Sequence, residues 1–310
     1  MRRIHVACSA RNAGAWIDGF LASLVAQTHT DWELWIRDDG STDDTAVRLE
    51  QWHVRDARVK TVVRGERSIG AAQGFADVFL RLPADAHVIA TGDADDVWLP
   101  ERLARSLSAL ESAERSGPGP ILIHSDLCVV DADLQTIAQS FWASEGIDPN
   151  DTAVPSLAIQ NIAVGPTLLF NRALLAEVTD IPIAAAYQDW WIALIAAVTG
   201  RLVALPEPTV LYRQHGANSV GARQGSTLER LPDVMSRRAK VRKDLDMISY
   251  QAGALLTKYR VQLRNEDREA LEGLASIAEL SGWRRKAAIA RWRWLSSHGI
   301  LRNLGILVRG

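Results

Sequence analysis

Between residues 4 and 112, short apolar runs alternate with stretches whose apolar residues recur three and four positions apart. Residues 4–9 read as a strand, and 13–26 as a helix that buries Trp16, Ile17, Phe20, Leu21, Leu24 and Val25. Residues 32–37 read as a second strand, closed by Asp38-Asp-Gly-Ser-Thr-Asp-Asp44. There the glycine turns the chain, and Ser41, Thr42 or Asp43 can cap a helix running to about residue 53. A strand at 58–63, a helix at 70–82, a strand at 86–91 and a helix at 100–112 with Pro100 in its first turn continue the alternation. Such alternation predicts an α/β chain with a parallel sheet and right-handed crossovers. Ligands then gather at the carboxyl ends of the strands.

After Ser116-Gly-Pro-Gly-Pro120 the pattern loosens. Residues 121–131 read as a strand or hairpin edge, 164–170 as a strand and 184–199 as a helix, with short strands at 202–205 and 209–212. From about residue 221 the chain changes character, with helices at 227–264 and 266–280. This divides it into 1–222 and a helical region 223–310. After Glu279 no acidic residue remains. Trp283, Ala287, Ala290 and Trp294 fall on one helical stripe, flanked by Arg284 and Arg291 on one side and Lys286 and Arg293 on the other. That make-up suits a helix lying in an anionic membrane surface, or alternatively one packed on the rest of the chain.

Composition adds bounds. With 47% hydrophobic and 23% charged residues, the 310-residue chain can build an ample core, and its net charge of −2 gives no argument for a nucleic-acid partner. Cys8 and Cys128 sit in apolar runs and read as core residues of a reducing, cytoplasmic compartment. Met-Arg-Arg-Ile-His-Val leads straight into the first strand, which predicts no signal peptide. The most apolar window, 190–205, is broken by Gly200 and Arg201 and is too short to span a bilayer.

Candidate chemistry concentrates where the strand at 86–91 ends, in Asp93, Asp95 and Asp96. Residues two apart in an extended chain point the same way, so Asp93 and Asp95 can converge, and carboxylates held that close call for a proton or a cation. Hard oxygen ligands there suit Mg²⁺ or Mn²⁺ with substrate phosphates completing the shell; the alternative is a solvated acidic turn before a helix. Asp39 closes another strand, so two acidic loops distant in sequence should face one cleft.

Taken in order, Cys8-Ser-Ala-Arg-Asn12, Arg37-Asp-Asp-Gly-Ser-Thr-Asp43, Gly92-Asp-Ala-Asp-Asp-Val-Trp-Leu-Pro100, Gln188-Asp-Trp-Trp191 and Tyr212-Arg-Gln-His215 resemble glycosyltransferase family 2, and among it the rhamnosyltransferase-like members. The chain departs from that pattern at Ala94, where Gln is usual, and at Gln188, where His is usual. The resemblance implies a GT-A fold, with a Rossmann-like, mostly parallel central sheet and flanking helices, followed by a C-terminal helical extension. It also implies inverting transfer of a sugar from a nucleoside-diphosphate donor, dTDP-rhamnose or a UDP-sugar, to a glycan or lipid-linked acceptor at the inner face of the cytoplasmic membrane.

The same resemblance implies the roles. Asp189 would be the catalytic base, with Trp190 and Trp191 desolvating it and offering a ring to the acceptor. Ser9, Asn12, Asp39, Asp93 and Arg213 would bind the donor, Asp39 by accepting the imide N–H of its base. Asp95, Asp93 and His215 would hold the metal. A metal-dependent nucleotidyltransferase is a rival, but Ala10-Arg-Asn-Ala-Gly14 makes a poor phosphate loop. A catalytically inactive scaffold subunit that binds sugar nucleotides is the other.

Overall fold

The structure is a computed structural model, and it describes residues 2–182, 187–215, 234–277, 279–280 and 283–284. The first half alternates as the hydrophobic pattern predicts: β1 (Ile4–Ala10), α1 (Ile17–Val25), β2 (Trp32–Asp38), α2 (Thr45–Arg55), β3 (Val59–Arg64), α3 (Ala71–Arg81), β4 (Val88–Gly92), β5 (Val97–Trp98) and α4 (Arg102–Arg115). Then follow β6 (Ile121–Val130), β7 (Thr136–Ala138), α5 (Phe141–Glu145), α6 (Val154–Ile159), a 3₁₀ turn (Gly165–Thr167), β8 (Leu169–Asn171), α7 (Arg172–Val178), α8 (Gln188–Thr199), β9 (Arg201–Arg213), α9 (Val234–Tyr259) and α10 (Asn265–Ala275).

One curled sheet runs β3-β2-β1-β4-β8-β6-β9-β5, with β7 paired to β6. Pairing is parallel from β3 to β4 and again between β6 and β9. The short β8 runs antiparallel between these two halves. All five residues of β4 are buried, as befits a strand covered on both faces. Its last residue has no room for a side chain, because a Cβ on Gly92 would lie 2.8 Å from the Trp98 ring and 2.9 Å from Phe20.

Each face carries its own core. Ile17, Phe20, Leu21 and Leu24 of α1 join Val6, Cys8, Trp98 and Leu103 on one side. On the other, Phe75, Phe79, Phe170, Trp190 and Trp191 continue into Leu245, Leu255, Tyr259 and Leu271 of α9 and α10. The C-terminal helices thus share a core with the sheet and its helices, and Tyr259 anchors them by donating to Glu177 Oε2 at 3.0 Å. The proposed division at 222/223 falls outside the described residues, as does the tail from 285 onward; Trp283 is 73% exposed.

Several elements differ from the expectation. Residues 164–170 hold the 3₁₀ turn before a three-residue strand, because Pro166 removes a ladder donor. Residues 201–213 are a single strand whose register slips between Ser125 and Asp126, around Pro206, and again between Asp126 and Cys128. β6 is not an edge, since it lies between β8 and β9. Helix α2 begins at Thr45, and none of Ser41, Thr42 or Asp43 is its N-cap, which is Asp44. Asp43 instead accepts from the Thr45 N–H at 3.0 Å, two residues on.

Candidate active site

The acidic loop after β4 is closed in by the far end of β9. Antiparallel pairing of Val97 with Leu211 and Trp98 with Val210 sets Tyr212-Arg-Gln-His215 beside Asp93, Asp95 and Asp96. Asp96 is fully buried; its Oδ1 accepts the Arg213 N–H at 2.9 Å, while Oδ2 has no partner among the described residues. Asp95 is partly exposed, and its Oδ2 lies 3.1 Å from Nε2 of His215. The His215 ring stacks on Trp16 at 5.0 Å, so the imidazole is held in place from its face as well as its edge.

Burial pushes the Asp93 carboxyl up to about 8, with Asp95 and Asp189 adding repulsion and Arg102 opposing it. Burial raises Asp96 well above the usual carboxylate range for the same kind of reason. A pocket that crowds carboxylates without enough donors favours whatever brings positive charge. Among the described residues no group of three His, Cys, Asp or Glu is arranged as a metal site. The Asp95–His215 pair is the nearest approach, and one or two protein ligands suit a Mg²⁺-type ion whose other ligands are phosphate oxygens and water.

Asp189 stands in the first turn of α8, opposite this loop. Its Oδ2 accepts the Gly165 N–H at 2.8 Å and its Oδ1 the Trp190 N–H at 2.7 Å, and Asn161 donates from its side chain. Burial still prevails and lifts the carboxyl to about 6. A Cβ built on Gly165 would lie 3.6 Å from Asp189 Oδ2 and 3.6 Å from Asp93 Oδ2, so the two carboxyl groups converge on one point beside that glycine.

Arg102, which the sequence reading did not single out, is fully buried beneath the site. Its Nε donates to Pro166 O at 2.9 Å and its Nη2 to Thr91 O at 3.0 Å, and the guanidinium lies 3.5 Å from the centre of the Trp98 ring. It thereby ties the last turn of β4 to the Gly165–Thr167 turn that holds Asp189. Burial draws its pKa down to about 9. An arginine in the first turn of an amphipathic helix carries no sequence signal for this; nor does Trp16, which reads as one more core position on α1.

Other expected residues are placed differently. Trp190 and Trp191 are 4% and 1% exposed and point into the core, with Trp190 Nε1 donating to Leu157 O, so neither offers a ring to an acceptor. They follow α8's inward face, which its helical spacing dictates. The Arg213 guanidinium, expected on the donor, is buried: Nε donates to Asp95 O at 2.9 Å, Nη1 to Ala132 O, and the group lies over Trp16. Asn12 is exposed at φ 49°, and its Oδ1 accepts the Thr42 N–H at 2.8 Å, joining two loops. Ser9 lies under α3 against Gly74. Asp39 is buried at the end of β2 and takes donors from Arg37 Nε, Ser68 Oγ, and the backbone N–H groups of Ile69 and Gly70, all within 3.1 Å. These bonds pull its pKa down against burial. In this structure its carboxylate holds the β3–α3 loop and has no oxygen to spare for a base.

Residues 6–161, half of the chain, match the model of Glycosyl transferase family 2. The chain is 29% identical over 234 residues to an uncharacterized glycosyltransferase of Nostoc sp., covering 73% of this chain and 69% of the relative. It is 25% identical over 222 residues to a dTDP-rhamnosyl transferase of Shigella flexneri, covering 68% and 72%. It spans about half the length of three mycobacterial relatives. Among solved structures it is similar to S. aureus TarS 1-349 in complex with UDP, with a TM-score of 0.57 at 14% identity over 89% of this chain and 70% of that one. It is also similar to a mannosyltransferase of Pyrobaculum calidifontis in complex with GDP-Man and Mn²⁺, with a TM-score of 0.52 at 16% identity over 94% and 79%. At these identities the solved structures speak for the fold, which is that of GT-A glycosyltransferases.

Proposed function

The chain belongs to glycosyl transferase family 2, and from that premise we propose that it transfers a sugar, with inversion, from dTDP-rhamnose or a UDP-sugar to a hydroxyl of a cell-surface glycan or lipid-linked acceptor. The observation that carries the reading is the convergence of Asp93 and Asp189, each with a carboxyl oxygen 3.6 Å from a Cβ built on Gly165. Asp189 is the general base. With its carboxyl near 6 it is largely ionised at neutral pH yet basic enough to take the acceptor's proton as that hydroxyl attacks the anomeric carbon. The Gly165 and Trp190 N–H groups orient the carboxylate, leaving the attack direct and the anomeric centre inverted.

The donor's diphosphate lies on the Asp93–Asp95–His215 side. Asp95 and His215, with Asp93 beside them, would hold Mg²⁺ or Mn²⁺, which when bound supplies charge neutralisation for the departing nucleoside diphosphate. The Mn²⁺ present beside GDP-Man in the P. calidifontis mannosyltransferase supports that choice of cation. Asp39 takes part in base recognition only if Ser68, Ile69 and Gly70 release it; as arranged, it shapes the pocket through the loop it holds.

No helix among the described residues is long and apolar enough to cross a membrane. The basic tail with Trp283, Trp292 and Trp294 supports peripheral attachment at the cytoplasmic face, where lipid-linked acceptors lie. Truncation after Ser281 is expected to release the protein from anionic vesicles in a flotation assay; undiminished flotation refutes that attachment.

Asp189→Asn tests the central assignment. Removing a general base typically costs about 10²–10⁴-fold, so nucleotide-sugar consumption should fall by that order while affinity for the nucleoside diphosphate stays unchanged. Full turnover by the variant refutes the assignment. No turnover by the wild-type protein, with nucleotide binding intact, would favour the scaffold reading.

A further inference from the structure

We propose that the side-chain amide of Gln188 and the open space above Gly165 form a subsite that reads a hydroxyl of the transferred pyranose. The inference rests on the sugar-transfer reading above and names the group within that site that selects the sugar.

Gln188 is the first residue of α8 and is only 7% exposed. Its amide makes no hydrogen bond to another described residue, and neither of its polar atoms is among the enclosed unpaired ones, so the amide is open to a ligand. The amide nitrogen points at the cleft: a Cβ on Gly165 would sit 3.5 Å from Gln188 Nε2, beside the two carboxylate oxygens at 3.6 Å. An unpaired donor and two acceptors therefore converge on one small volume.

Neither backbone nor packing requires a glycine at 165. Its φ is not in the left-handed region, and every neighbour of an added Cβ stands at ordinary van der Waals distance. The peptide is fixed on both sides, since Gly165 N–H donates to Asp189 and Gly165 O accepts from Thr91 Oγ1. A side chain here would thus leave the fold intact and fill only the cleft.

The chemistry of the three groups selects the occupant. The carboxyl oxygens of Asp93 and Asp189 accept hydroxyl protons, and a neutral amide donates to a hydroxyl oxygen. Vicinal hydroxyls of a sugar ring match that set. The volume lies between Asp93, beside the diphosphate end, and Asp189, which faces the acceptor, so the ring occupying it is the one being transferred. A site built to pair a substrate hydroxyl discriminates strongly against sugars that lack it or present it on the other face.

The test is calorimetric titration of the full chain, with Mn²⁺, using UDP, dTDP and a set of their sugars: UDP-glucose, UDP-galactose, UDP-N-acetylglucosamine and dTDP-rhamnose. Wild-type protein is compared with Gly165→Ala, Gln188→Glu and Gln188→Ala, whose melting temperatures should match it. The variants are expected to bind the free nucleoside diphosphate within about twofold of wild type and the preferred nucleotide sugar about tenfold more weakly, the worth of a substrate hydrogen bond. Unchanged affinity for the nucleotide sugar in all three variants overturns the subsite. So does a defect confined to acceptor saturation with donor binding intact. Wild-type protein that binds no nucleoside diphosphate would instead bring down the sugar-transfer reading itself.

Discussion

The ends of β2 and β4 both carry buried carboxylates, yet their electrostatics are opposite. Asp39, after β2, receives four donors and is held below the usual carboxylate range. Asp93 and Asp96, after β4, are pushed up, Asp93 to about 8, and one oxygen of Asp96 has no partner among the described residues. Burial is common to both, so it does not decide the outcome; the supply of donors does. The satisfied end is architecture that folds the β3–α3 loop. The unsatisfied end, facing Asp189, is where positive charge and substrate are wanted.

The comparison breaks most sharply at Asp39. Asp39→Ala strands Arg37 and the N–H groups of Ile69 and Gly70, and should cost about 3 kcal/mol, the order seen when a buried charged pair loses one member. Denaturant unfolding checks this. Because the Asp39 carboxyl is lowered in the folded state, its contribution is present above the unfolded value of about 3.8 and is lost as pH falls through the folded one, so the variant's deficit should shrink in acid.

A smaller effect probes the wall opposite. With Asp189 near 6, the ionised fraction rises about tenfold between pH 5 and 7, and kcat/KM should rise with it. A profile flat through pH 6 would mean that Asp189 is not the base. The least effect is expected at Asp96. Asp96→Asn keeps an acceptor for the Arg213 N–H while removing a carboxyl whose folded pKa is raised, and should stabilise the protein by about 1 kcal/mol near neutrality. The sign follows from linkage: above about pH 4 the unfolded state gives up this proton more readily than the native state, so the native protein loses stability as pH rises. The gain should therefore vanish in acid, and destabilisation at pH 7 would contradict the contrast between the two strand ends.

Local pattern made much of the fold legible. Strands β1 to β4 and the helices between them follow from short apolar runs and three-to-four spacing, because each buries a face that its own sequence defines. The second half was less legible. Whether 164–170 is a strand depends on what Pro166 meets, and the placement of β8 between β4 and β6 depends on neighbours remote in sequence. The acidic loop stood out because three carboxylates close an apolar strand, and Asp189 and His215 stood out through the motifs that resemble the family. Trp190, Arg213 and Asp39 show the limit: the resemblance assigned them to ligands, but hydrogen-bond partners from other elements had already claimed them, while Trp191 is packed into the core. Arg102 and Gly165 act through backbone atoms of distant segments, which no spacing within the chain reveals.

The most direct test of the unsatisfied strand end is the melting temperature with UDP, dTDP and GDP, each with and without Mn²⁺, for the wild-type protein and for Asp95→Ala. A ligand bound only by the folded state raises it by mass action. The account predicts a rise with UDP or dTDP that requires Mn²⁺ and disappears in Asp95→Ala. A rise independent of the metal, or one that survives in Asp95→Ala, would contradict the assignment of the β4 end as the place where cation and diphosphate meet.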